Sequence, residues 1–137
     1  MELPPPPLTT QSLQIVDAEG RPRMVLSTES GTPSFLLLRE DGATGARIAL
    51  DTAGRPSVSL MSPEQQGPSA ALEVDDKGAH VIFTRPGGAS SYLFLNNAGG
   101  SGVVLIDPEG RRRVMVTVGS DGTARIERLD DAGVPLR

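Results

Sequence analysis

The sequence predicts an all-β chain, a repeat array of about eleven short antiparallel strands built from a two-strand unit of roughly 22 residues, and three observations carry that expectation. Turn-closing glycines recur at Gly20, Gly31, Gly42, Gly54, Gly67, Gly78, Gly88, Gly99, Gly110, Gly122 and Gly133, never fewer than 10 nor more than 13 residues apart. Between them lie short apolar runs, many alternating with polar residues as a half-buried strand requires, and none has helical length or spacing. The runs also fall into two alternating classes, the first starting at Leu13, Phe35, Val58, Val81, Val103 and Ile126 at intervals of 22 or 23 residues. A β-solenoid, whose stacked coils would use the same glycine turns as corners, is the alternative architecture.

Taken in order, residues 1–12 form a Pro-rich extension in which Pro4 to Pro7 are expected to run as polyproline, and residues 13–137 form a single β-repeat domain. The strand from Leu13 ends at Asp17-Ala-Glu-Gly20. In such a tetrad the Asp bonds its own backbone, a small residue or Pro suits the next position, and Gly accepts the positive φ that ends the turn. That is a hairpin connection of the type I plus bulge kind. Met24-Val-Leu26 follows, then Gly31, then the wholly apolar Phe35-Leu-Leu-Leu38. Ile48-Ala-Leu50 leads into Asp51-Thr-Ala-Gly54 and Val58-Ser-Leu60. Ala70 to Val74 precedes Asp75-Asp-Lys-Gly78 and Val81-Ile-Phe83. Tyr92 to Leu95 is separated by Gly99 from Val103-Val-Leu-Ile106, and Asp107-Pro-Glu-Gly110 turns the chain into Val114-Met-Val-Thr-Val118. The strand at Ile126 closes the series before Asp130-Asp-Ala-Gly133.

Asp17-Ala-Glu-Gly-Arg21, Asp51-Thr-Ala-Gly-Arg55 and Asp107-Pro-Glu-Gly-Arg111 resemble the hairpin repeats of the RHS/YD family. The resemblance spans about residues 13–133 and implies β-hairpin repeats without an activity. The hallmark Tyr before the Asp is Val16, Leu50 or Ile106 here, and the chain is too short for the shells those repeats build.

Composition excludes several functions. A net charge of −4 and a pI near 4.9 argue against nucleic acid and anionic membranes as partners, because phosphate binding draws on a basic surface. With no cysteine, disulfides, thiolate nucleophiles and Cys-based zinc sites are absent. The N-terminal residues lack the basic and apolar regions of a secretory signal and no apolar run approaches membrane-span length, so the expectation is a cytoplasmic or virion- or particle-associated protein.

No residue is assigned a catalytic or metal-ligating role, no cofactor is expected, and the chain is read as a non-enzyme. The one histidine, His80, sits beside the turn at Gly78 and reads as a surface residue, and no Gly-x-Ser-x-Gly elbow occurs. Asp17/Glu19, Asp75/Asp76, Asp107/Glu109 and Asp130/Asp131 put paired carboxylates in turns, yet neither the EF-hand pattern nor the nonapeptide calcium repeat is present; weak stacked calcium sites are the option left open. Arg85 to Ser91 lacks the Lys-Ser/Thr end of a phosphate loop. In Arg111-Arg112-Arg113, alternate arginines are expected to pair with turn carboxylates.

More informative are runs with no polar side. Phe35, Leu36, Leu37 and Leu38, with Val103, Val104, Leu105 and Ile106, put large aliphatic groups on both faces of a strand, and a single sheet has nothing of its own to cover the second face. These eight residues are the candidate interface. The expected function is a structural or scaffolding module that self-assembles, as a trimer before a dimer, or joins a larger complex, with the Pro4–Pro7 segment as a further site for a protein partner. The alternative is a fibre- or adhesin-like recognition module binding glycan or protein through its loops.

Overall fold

A computed structural model of the chain describes residues 5–88 and 90–136. Eleven strands follow one another: β1 (Ser12–Val16), β2 (Pro22–Ser27), β3 (Ser34–Leu38), β4 (Thr44–Leu50), β5 (Pro56–Leu60), β6 (Ser69–Val74), β7 (Gly78–Thr84), β8 (Ser90–Asn96), β9 (Ser101–Ile106), β10 (Arg112–Val118) and β11 (Ala124–Arg128). They form one open sheet in which every strand pairs antiparallel with its sequence neighbours, in the order β1 to β11. The chain is therefore an antiparallel meander, and the solenoid alternative is set aside. Of the N-terminal extension, Pro4 lies outside the described residues, while Pro5 to Pro7 are exposed and belong to no helix or strand.

The turns explain why the strands reverse where they do. At Asp17 the Gly20 N–H donates to Asp17 O and the Asp17 N–H donates to Arg21 O, both at 3.0 Å. This pair of bonds is the type I turn with a glycine bulge. The same two bonds recur from Asp51 to Arg55, Asn96 to Gly100, Asp107 to Arg111 and Asp130 to Val134. In each, the side-chain oxygen of the first residue also accepts backbone N–H groups, as Asp51 Oδ1 does from Ala53 and Arg55.

Ten of the eleven anticipated turn glycines have positive φ, together with Gly87. Gly67 is the exception. Its N–H closes a turn on Glu64 O, but its φ is ordinary, and a Cβ there would lie 2.0 Å from Ser62 Oγ. Space against Ser62 requires glycine at that position. Gly78 combines both demands, with φ at 147° and a would-be Cβ 2.2 Å from Leu95 O of β8.

Three β-bulges break strict alternation, near Val16, Leu38 and Arg113. In the last, Ile106 pairs with Arg112 while Leu105 pairs with Val114, leaving Arg113 as the extra residue. A single layer buries little: among the described residues only Ala49, Val104 and Leu129 are buried apolar side chains, and of these Val104 alone is fully enclosed.

Candidate interaction surface

Pairing fixes which side chains share a face, because residues directly opposite in an antiparallel sheet point the same way. Leu13 lies opposite Leu26, Leu26 opposite Phe35, Phe35 opposite Ile48 and Ile48 opposite Val58. The line continues through Leu72, Val81, Leu93, Val103 and Val116 to Ile126. One large apolar residue from every strand thus stands in a single row across the whole sheet. Beside that row on the same face lie Ile15, Leu37, Leu60, Phe83 and Leu105, and toward the other strand ends Val74, Leu95 and Val118. Most of this surface is open: Leu72 is 50% exposed, Leu93 53% and Ile126 78%.

The opposite face is mixed and better covered. It carries Val25, Leu36, Ala71, Ile82, Tyr92, Val104 and Met115 between Gln14, Arg47, Ser59, Glu73, His80 and Thr117. Val104, opposite both Tyr92 and Met115, is 1% exposed. Gly102 beside it has no room for a side chain, since a Cβ would lie 2.7 Å from Val116 O. A groove of about 560 Å³ on this face is lined by His80, Ile82, Tyr92, Phe94, Arg112 and Met115 among others. The rings of Tyr92 and Phe94 are 6.0 Å apart there.

His80 departs from expectation: it lies within β7, half-buried, with its ring 2.9 Å from Glu73 Oε2 across the β6–β7 pair. Strand pairing, which the sequence around Gly78 does not announce, makes that contact. The three arginines also divide. Arg111 bonds Asp107 and Glu109, Arg113 meets Asp131 and Asp107, and Arg112 is carried by the bulge onto the groove side next to Met115.

Of the predicted interface residues, Phe35, Leu37, Val103 and Leu105 belong to the apolar face, whereas Leu36, Leu38, Val104 and Ile106 belong to the other. What sequence reasoning missed is the row itself, although its odd members are the residues at which the first strand class begins. The signal was present in their spacing of 22 and 23 residues; the alignment of the second class with them depends on register.

Charged groups gather at the strand ends. Asp17 Oδ2 accepts from Arg21 Nε at 2.8 Å, Asp51 from Arg55 at 2.7 Å and Asp107 from Arg111 at 2.9 Å. Neighbouring turns are joined in the same way, through Arg55 to Asp76 at 3.5 Å and Arg111 to Asp131 at 3.9 Å. Arg39 reaches the next connection at the same end of the sheet, donating to Met61 O and Ser62 O, each at 2.7 Å.

The backbone N–H of Arg55, then its side chain, hold the Asp51 carboxyl below its ordinary value of 3.8. For Asp107 partial burial pushes upward, but the bonds from Arg111 prevail and the net shift is downward. The paired turn carboxylates at Asp17/Glu19 and Asp107/Glu109 thus have arginine as their partner. Among the described residues no group of three or more His, Asp or Glu side chains is placed to hold a metal ion. Among the described residues no helix is long and apolar enough to cross a membrane. The site is a broad apolar face bordered by ion-paired turns. Comparison with known protein families and with curated proteins finds no match to this chain.

Proposed function

We propose that the chain is a non-enzymatic structural module that assembles with copies of itself, or as an accessory subunit of a larger complex, through its apolar face. The observation that carries this reading is the uninterrupted row from Leu13 to Ile126, one large apolar side chain per strand, on the more exposed side of the sheet. With strands about 4.8 Å apart the row is about 50 Å long, and with its flanking rows it offers on the order of 700 Å². A stable interface buries about 800 Å² per partner. Each side chain taken from half-exposed to buried contributes about half of the ~1.5–3 kcal/mol that full burial gives, which favours a covered state.

Light scattering tests the reading. The expected mass at micromolar concentration is a multiple of 14.3 kDa, and Leu72→Glu with Leu93→Glu should lower it at least two-fold with the β signal in circular dichroism unchanged. A parent chain that remains at 14.3 kDa would overturn self-assembly.

A second reading, recognition of a small or extended ligand, is supported by one feature, the groove in which Tyr92 and Phe94 stand beside His80 and Arg112. Shifts of Tyr92 resonances on titration with oligosaccharides or peptides would favour it.

A further inference from the structure

The two outer strands of the sheet differ in a way that points to how copies meet. β11 is guarded: its sequence Ala124-Arg-Ile-Glu-Arg128 carries three charges, the Leu136 N–H donates to Arg128 O at 2.7 Å, and Leu129 bridges to Pro135. Charges, proline and a covering segment are the usual means by which an edge is kept from pairing. β1, Ser12-Leu-Gln-Ile-Val16, has no charge and no proline. Among the described residues no strand lies on its outer side.

We propose that β1 pairs antiparallel with β1 of a second copy about a two-fold axis at Gln14. This rests on the self-assembly reading above and names the contact that begins it.

Backbone geometry supports that register. Gln11 O accepts from the Thr28 N–H and the Asp17 N–H donates to Arg21 O, so odd-numbered residues of β1 turn their backbone groups toward β2. By alternation Ser12, Gln14 and Val16 present theirs to the open side. The Thr10 hydroxyl lies on that side, donating to Ser12 O at 2.8 Å and accepting from the Ser12 N–H at 3.4 Å; the carbonyl keeps a second lone pair, and the long N–H bond is one that an incoming strand replaces. Centred on Gln14, the pairing sets Gln14 against Gln14 of the partner subunit and Ser12 against Val16 of the partner subunit, so all three outward residues bond. It also sets Leu13 beside Ile15 of the partner subunit on the apolar face, so each protomer's central row meets the flanking row of the other and the apolar face continues across the junction.

Strand parity favours this two-fold arrangement over a ring. With eleven antiparallel strands, β1 and β11 run in the same direction. A ring joining β11 to β1 of the next copy would need a parallel junction at the charged edge, whereas β1 against β1 is antiparallel.

The described residues contain no cysteine, so single substitutions report the neighbour directly. Opposed Cα atoms in a hydrogen-bonded pair are about 5.5 Å apart, within disulfide range. Under mild oxidation Gln14→Cys should become a covalent dimer in high yield while Arg125→Cys, on β11, should not. Gln14→Pro removes only an outward N–H, so it should keep the β signal and lower the oligomer mass at least two-fold. An oligomeric parent indifferent to Gln14→Pro, or Arg125→Cys linking as readily as Gln14→Cys, would overturn edge pairing alone. A monomeric parent would overturn self-assembly with it. Should Gln14→Pro fail to fold, the cysteine pair decides.

Discussion

Single residues in this sheet act through backbone geometry more than through burial, because one layer buries few side chains. Gly110 has φ at 81° with nothing near its would-be Cβ except Gly88 O at 3.7 Å, so its demand is conformational. Gly110→Val should destabilise the fold by about 1–3 kcal/mol in a urea titration, and Arg112→Ala, at the rim of the groove, by less than about 0.5 kcal/mol. Gly102 makes the opposite demand, for space, and Gly102→Ala should cost about 1–3 kcal/mol by overpacking against Val116 O. Equal effects from Gly110→Val and Arg112→Ala would refute the turn assignment. The turn carboxylates predict a pH dependence whose sign follows from their lowered values. Asp17, Asp51 and Asp107 contribute stability that is present above the ordinary 3.8 and is lost as pH falls through their lower folded values. Asp107→Asn should therefore fold at neutral pH, as Asn96 does in the same kind of turn, and show a smaller loss of urea midpoint on acidification below pH 4. A parent and variant with the same acid slope would remove Asp107 from that dependence.

At the scale of strands, each element contacts only its sequence neighbours, which makes the sheet nearly one-dimensional. Stability then peaks where neighbours are best covered, around β8 and β9, with Val104 and Gly102 buried between β8 and β10. Hydrogen exchange should be slowest for amides of Tyr92 to Leu95 and Val103 to Leu105, and faster by at least about ten-fold in Ala124 to Arg128, since local opening costs least where contacts are fewest. Uniform exchange across all eleven strands would contradict that picture. The bulges act at the same scale. By inserting Arg113, the β9–β10 bulge lets one arginine join the carboxylates of two turns while Arg112 reaches the groove, a division that strict alternation could not produce.

For the whole molecule the governing fact is an apolar face about 50 Å long with no second layer over it among the described residues. The two-fold pairing proposed at β1 would double the length of that face. Since the paired turn carboxylates are held by arginine, removal of divalent cations should leave the melting temperature within about one degree; a drop of several degrees on adding chelator would show that cations bind and stabilise the folded chain.

The sequence by itself determined the strand count, the repeat length and the turn type. Those features are local: an Asp or Asn that bonds its own backbone and a Gly that accepts positive φ suffice to reverse a chain, and alternation of apolar residues suffices to mark a strand. Phe35 to Leu38 and Val103 to Ile106 were legible as runs without a polar side for the same reason. Which of them share a face was decided only by tertiary structure, because a one-residue change of register or one bulge moves every following side chain to the other face. The pairing of His80 with Glu73, the separation of Arg112 from its neighbours, and the alignment of eleven apolar residues into one row all depend on contacts between strands, and so on geometry that no single segment encodes.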